Sequence, residues 1–280
     1  MKMIAFLVLS FFIMHDAKAD SSQRIISIGG ANTEILYALG LADKIVGTDT
    51  TSTYPAEART TQKVGYMRAL SAEGVLSLKP NLIILTNEAG PPTVLNQLKQ
   101  VGIEILELTA ARSIEDIRNN IIAIAHKLNV ESKAQEVLTS IDSDMSLLKA
   151  ALSKQQRMPK IMFILQHGGG APMVAGHGTA AHSILTLSGA ENVAAVYQGY
   201  KPLTPEAAIK MQPDFILVTD LGVQQSGGLE AFANIPGLNL TQAAQNKRII
   251  VMDQQFLLGF GPRTAEAALK LHQYYTDIQS

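Results

Sequence analysis

Residues 70–86 read LSAEGVLSLKPNLIILT, and residues 203–219 read LTPEAAIKMQPDFILVT. Each stretch has a cap residue (Ser71, Thr204), an acid in the first helical turn (Glu73, Glu206) and a short amphipathic helix. A Pro-Asx turn follows in each, and then an apolar strand. Each is also introduced by a Gly-Tyr pair, Gly65-Tyr66 and Gly199-Tyr200. A repeat at this separation is too long for a solenoid unit and suits a domain. The duplication predicts two similar lobes with a cleft between them.

The rest of the chain fits that plan. Residues 24–29 read as a short buried strand ending in a glycine pair, 33–41 as a helix stopped at Gly40, and 44–47 as a second strand. Residues 81–86 and 103–108 read as further strands, with a turn-rich loop at 87–92 and a helix over 93–101. Strands alternating with helices of about ten residues imply mostly parallel sheets covered on both faces. From Ser113 the strand signals stop. A helix is expected to about Leu128, and Asn129 interrupts it. Residues 131–154 then keep helical apolar spacing through Ala134, Leu138, Ile141, Met145, Leu148 and Leu152, without glycine or proline. Alternation returns with strands at 160–166, 214–219 and 248–253, a loop and helix at 176–189, and a closing helix at 264–278. The expected division is a first α/β lobe over 20–130, a connecting helix over 131–156 and a second lobe over 157–280. With no flexible linker between the lobes, modest hinging about the helix is expected rather than large independent motion.

The first 19 residues stand apart. Lys2 precedes an apolar run from Ile4 to Met14, and Ala17-Lys18-Ala19 forms a small-residue cleavage site before Asp20. This is the pattern of a cleaved signal peptide, and the run is too short for a stable membrane span. The 280-residue chain has no cysteine, which removes both a disulfide framework and the thiol that would carry a lipid anchor. A soluble, unanchored and monomeric protein of a bacterial periplasm is expected. The net charge of −1 lacks the positive field a nucleic-acid binder needs. At 47% hydrophobic residues the chain can bury sizeable cores.

In parallel α/β sheets ligands collect at the carboxyl ends of strands. The corresponding loops, 29–32, 49–66, 87–92, 167–179, 220–228 and 254–263, read as rich in Gly, Tyr, Met, Phe and Gln and poor in carboxylates. That composition suits a large, partly apolar ligand. Tyr66 is the first candidate, because a phenolate is a hard ligand for ferric iron and an established axial ligand of haem. Arg68 can stabilise that phenolate or bind a ligand carboxylate as a fork. The plainer reading of Tyr66 is a ring packed at a helix entry. His167 follows a strand and can be a second axial ligand or simply a solvated imidazole, with His177 and His182 further on. Tyr200 either lines the opposite wall or caps its helix. Glu73 and Glu206 cap their helices, and their symmetry also places one carboxylate on each lobe for a partner's arginines. Signatures of catalysis are weak: there is no cysteine nucleophile, no Gly-x-Ser-x-Gly, no phosphate-binding glycine loop and no His-Glu-x-x-His.

Five segments carry a resemblance across essentially the whole mature chain: 64–73 (VGYMRALSAE), 175–181 (AGHGTAA), 199–206 (GYKPLTPE), 235–238 (IPGL) and 257–263 (LLGFGPR). Together they resemble the periplasmic haem-binding proteins of bacterial haem ABC importers, within the siderophore and vitamin B12 group of substrate-binding proteins. The resemblance implies the class III binding-protein fold, two Rossmann-like lobes joined by one long helix, with ferric haem held between them. It implies Tyr66 as iron ligand, Arg68 as its basic neighbour and His167 as the best match to a second ligand. It implies Glu73 and Glu206 as the carboxylates that dock the lobes onto an inner-membrane permease served by an ATPase, and Arg263 as part of a motif with a structural or ligand-binding role. Met67, Met173, Phe256 and Leu257 are the expected apolar walls. The rivals are a ferric-siderophore or cobalamin carrier on the same scaffold, and a periplasmic enzyme or haem chaperone working without a transporter.

Overall fold

The apolar runs become two sheets in a computed structural model of the protein, which describes residues 23–166 and 170–277. The expected signal peptide and His167 lie outside the described residues. In the first half, strands β1 (Ile25–Ser27), β2 (Ile45–Thr48), β5 (Leu82–Thr86) and β6 (Glu104–Leu108) form a parallel sheet in the order β2-β1-β5-β6. Two short strands, β3 (Gly65–Tyr66) and β4 (Ala69–Leu70), make a separate hairpin. The second half holds β7 (Lys160–Leu165), β8 (Met173–Ala175), β9 (Glu191–Asn192), β10 (Tyr200–Pro202), β11 (Phe215–Thr219) and β12 (Ile249–Met252). Its sheet runs β10-β8-β7-β11-β12, with β9 also paired to β7. Here β7, β9, β11 and β12 pair in parallel, while β8 runs the opposite way and pairs antiparallel with both β7 and β10. The duplication is visible in the strand order: β1-β5-β6 of one sheet corresponds to β7-β11-β12 of the other.

Helices α1 (Gly30–Ala38), α2 (Ala72–Leu76), α3 (Pro92–Gln100) and α4 (Ile114–Leu128) serve the first lobe. The α5 helix (Glu131–Leu152) lies between the two sheets in sequence, after Asn129 turns the chain with φ 57°. It ends four residues before the expected limit of 156, at a point where the chain turns through Ser153. The second lobe carries α6 (Ala180–Leu187), α7 (Pro205–Met211), α8 (Asp220–Gln225), α9 (Leu229–Ala233), α10 (Gln242–Gln245), α11 (Gln254–Leu258) and α12 (Thr264–Asp277). The α1 helix begins at Gly30, three residues before the expected start, because Gly29 turns with φ 99° and feeds the chain directly from β1 into the helix.

The strand period of two divides the core. Ile25, Ile84, Phe163 and Leu217 point into one continuous core that also takes in Ile121, Leu138, Ile141, Leu148, Leu271 and Tyr275 of the helices α4, α5 and α12. The alternate residues face away: Ile26, Ile83 and Leu85 into one satellite core, Met162, Ile216 and Val218 into another. A core shared by both lobes resists their separation, since parting them would expose apolar area at a cost of about 25 cal/mol per Å². Among the described residues no helix is long and apolar enough to cross a membrane.

Candidate functional site

The carboxyl ends of both sheets open onto one cavity of about 890 Å³, within the range of small-molecule sites. From the first lobe it is lined by the Gly29–Asn32 turn, the Tyr66-Met67-Arg68 hairpin tip, Thr86, Glu88, Arg112 and Asn120. The second lobe supplies Leu165, Gly178 to Ala180, Tyr200, Leu221, Gln255 and Leu258.

Tyr66 reaches this cavity because Gly65 adopts φ 106°, a left-handed turn that only glycine enters freely. Tyr66 pairs with Ala69 in the hairpin, and Gly90 N donates to Met67 O at 2.9 Å, tying the hairpin to the loop after β5. Tyr66 remains 43% exposed. Arg68 Nη1 donates to the Tyr66 hydroxyl at 2.7 Å. Arg68 Nη2 is ion-paired with Glu88 Oε2, and Glu88 Oε1 pairs with Arg112 Nη2. One carboxylate therefore bridges two guanidiniums. Burial works against the charge on Arg68, but the Tyr66 hydroxyl and the Glu88 carboxylate outweigh it and hold its pKa above the ordinary value.

Tyr200 enters from the other lobe by a related device. Gly199 has φ 68°, and Tyr200 pairs with Ala175 at the edge of the second sheet. Burial raises the pKa of its hydroxyl, opposed by the charges of Arg112 and Arg68 and assisted by Glu88. Tyr200 thus stands within electrostatic reach of the opposite lobe's charge cluster. The floor beneath is polar. Asn32 Oδ1 and Thr86 Oγ1, both on residues lining the cavity, are buried with no hydrogen-bond partner in the protein, and orphans of this kind call for a ligand or water.

Other expected site residues fall elsewhere. Arg263 does not line the large cavity; Glu34 engages its guanidinium at 2.9 and 3.1 Å, and it lies 3.3 Å over the Tyr54 ring. It borders a separate 310 Å³ pocket with Tyr54, Arg59 and Phe256. Of the expected apolar walls only Met67 lines the cleft. Leu257 is buried in the shared core, Phe256 faces the smaller pocket and Met173 lies in β8 away from the cavity. The helical period explains this: the neighbour Leu258, not Leu257, turns outward from α11. Glu73 and Glu206 are exposed in the first turns of α2 and α7, behind the caps Ser71 and Thr204. His177 is exposed, and its ring lies 4.9 Å from that of His182.

The cleft is also more charged than its loops suggest. Arg59, Arg68, Arg112, Glu88, Asp220 and Asp253 all line it. Arg112 is not among the expected site residues: it lies in the loop after β6, outside the expected cleft loops, although that loop too follows the carboxyl end of a parallel strand. Glu88 lies in a loop assigned to the cleft, but nothing in the sequence pairs it with arginines at positions 68 and 112.

A family model described as periplasmic binding protein matches residues 25–256. Among solved structures, the periplasmic heme-binding protein RhuT from Roseiflexus sp. RS-1 in apo form is 34% identical and superposes with a TM-score of 0.89, covering 92% of this chain and 100% of that one. Among curated proteins, the uncharacterized ABC transporter substrate-binding lipoprotein YvrC of Bacillus subtilis (strain 168) is 32% identical over 89% of this chain and 78% of its own. The vitamin B12-binding protein of Vibrio parahaemolyticus serotype O3:K6 is 26% identical over 92% of this chain and 90% of its own. Two lobes with the strand order repeated, one helix between them, a cavity at the strand ends and a match over most of the length lead to one conclusion: this chain belongs to the periplasmic binding protein family.

Proposed function

We propose that this protein captures haem in the inter-lobe cavity and delivers it to an inner-membrane ABC permease served by an ATPase. The observation that carries the reading is Tyr66, a half-exposed phenol in a cavity wall whose oxygen accepts a hydrogen bond from Arg68. A phenolate is a hard anionic ligand for ferric iron, and the Arg68 guanidinium holds this oxygen at the cavity wall by its hydrogen bond. Met67, Leu165, Leu221 and Leu258 offer apolar surface to a macrocycle. The likeness to a heme-binding protein in structure and sequence supports the same ligand class.

Glu73 and Glu206, exposed on matching helices of the two lobes, are the proposed contacts with the permease. The match to an ABC transporter substrate-binding protein supports a transporter as partner. The proposed working form is a soluble periplasmic monomer, freed of residues 1–19, with lobes over 20–130 and 157–280 and the connector between. Tyr200 is proposed to face the ligand from the second lobe, with His167 as a candidate second iron ligand.

A cobalamin carrier is the second reading, favoured by the vitamin B12-binding relative. Spectrophotometric titration with haemin and with cyanocobalamin separates the two. Haemin is expected to give a saturable absorption change that is lost or displaced in Tyr66→Phe. A change in cyanocobalamin alone would sink the haem reading, and an unaltered haemin spectrum in Tyr66→Phe would remove Tyr66 as the iron ligand.

A further inference from the structure

The charge cluster on the first-lobe wall has a composition that capture of iron by Tyr66 does not explain. Arg68 needs only one guanidinium nitrogen to serve Tyr66, and that is Nη1. Its Nη2 is turned to Glu88, and Glu88 gives its second oxygen to Arg112, whose Nη1 bonds Ala111 O at 2.8 Å. All three charged side chains line the cavity and are partly open to it, with 32% of the Glu88 side chain exposed. Two guanidiniums side by side form a ready fork for carboxylates. Here the carboxylate is one of the protein's own.

The backbone holds that acid in place. Asn87 N donates to Leu108 O at 3.0 Å, and Ala89 N to Thr86 O at 2.8 Å, so the residue between them is fixed at the mouth of β5. Asn87 Oδ1 also accepts from Ala110 N at 3.1 Å, binding the Glu88 loop to the loop that bears Arg112. The fold alone thus places Glu88 between the two arginines. The cluster carries two positive charges and one negative, so one positive charge is left for something else.

We propose that Glu88 is an intramolecular occupant of the Arg68–Arg112 pair, and that a carboxylate of the ligand takes its place when the ligand binds. The pair is then the subsite for an acid group of the ligand, and Glu88 is the competitor that sets how strongly that group is held. This rests on the haem reading, since haem carries two carboxylates on an otherwise apolar ring. Glu88 weakens the grip on the acid group, which suits a carrier that must release its cargo. It also keeps the arginine pair from holding small anions, because the fork is already engaged.

The test is equilibrium titration of wild-type protein and Glu88→Gln with haemin and with haemin dimethyl ester, which lacks free carboxylates. Removing the competitor should tighten haemin roughly fivefold, the scale of a partly exposed ion pair, and leave the ester within about twofold. Glu88→Asp keeps the acid and should stay near wild type for both. In a background of Arg68→Gln with Arg112→Gln, the Glu88→Gln step should change neither ligand. An undiminished gain in that background would mean that the acid acts through bulk charge, and the proposal fails. Equal changes for haemin and ester, or weaker haemin binding in Glu88→Gln, overturn it as well. Wild-type protein that takes up neither ligand overturns the haem reading and this inference together; uptake with an unaltered response to Glu88→Gln overturns this inference alone.

Discussion

Arg263 of the second lobe grips Glu34 of the first through two parallel bonds, Nε to Oε1 at 3.1 Å and Nη2 to Oε2 at 2.9 Å. Its backbone N donates to the same Oε1 at 3.1 Å. Glu34 is almost fully buried, so the pair is shielded from water on the acid's side. Removing the cation leaves a buried carboxylate without its charge partner, a loss of about 3 kcal/mol for such pairs. Arg263→Met is expected to lower the urea midpoint accordingly, with Arg263→Lys intermediate because an ammonium cannot reproduce the fork. If Arg263 only braces the lobes, folded Arg263→Met should still show the haemin spectrum. Loss of that spectrum in folded protein would return Arg263 to the ligand site.

Gln255 is the second brace. Its Oε1 accepts from Thr53 N, Thr53 Oγ1 and Tyr54 N at 2.7, 2.7 and 2.9 Å, and its Nε2 donates to Gly30 O at 3.0 Å. Gly30 permits this approach: a Cβ there would stand 2.7 Å from Thr51 O and 2.8 Å from Gln255 Cδ. Helix propensity alone favours alanine over glycine by about 1 kcal/mol. The clash should reverse that sign, and Gly30→Ala is expected to cost roughly 2 kcal/mol. Calorimetry of Gly30→Ala, Gln255→Ala and the double variant checks it. Additive effects would show that the two positions do not share one contact.

Arg68 is expected to matter for binding more than for folding, since its side chain is half-exposed and its partners face the cavity. Arg68→Met removes the donor to Tyr66 and should weaken haemin about tenfold, the scale of a charge-assisted hydrogen bond. It should also shift the iron–phenolate absorption. Arg68→Lys should recover part of the affinity. Unchanged affinity and spectrum in Arg68→Met would leave the 2.7 Å contact with no role in holding the ligand.

These residues mark what the sequence does and does not disclose. The α5 helix was legible because its apolar spacing runs through Leu138, Ile141 and Leu148 without a breaker. The duplicated units were legible because Ser71 and Thr204 cap helices that lead into wholly buried strands, β5 and β11. By contrast β8, β9 and β10 are two or three residues long among glycines, too short for any period to register. Tyr66 and Arg68 are two apart on one hairpin, so local spacing suggested their contact. Glu88 and Arg112 meet only because β5 and β6 are neighbours. The Glu34–Arg263 pair spans both lobes, and nothing local announces it.

His182 gives the protein an expected sensitivity to mild acid. Burial lowers its pKa from the ordinary 6.5, with His177 adding a smaller push in the same direction. Its Nδ1 lies 3.2 Å from Asn192 Nδ2. That amide already donates to Ala175 O at 2.8 Å, and its Oδ1 accepts from Ala194 N at 3.0 Å, so the nitrogen facing His182 is a donor. The imidazole must accept, which only the neutral ring can do. The unfolded chain therefore takes up a proton before the folded protein does. Stability from this group is complete above about pH 6.5 and declines as pH falls from there through the lowered folded value. Melting temperatures at about pH 7.5 and about pH 5.5, the range in which histidine changes charge, should differ more in wild type than in His182→Gln. Because α6 begins beside Gly178 to Ala180 on the cavity wall, the loosening should extend to the ligand. Haemin should dissociate faster at the lower pH in wild type than in His182→Gln, and matching pH profiles for the two proteins would remove His182 as the source.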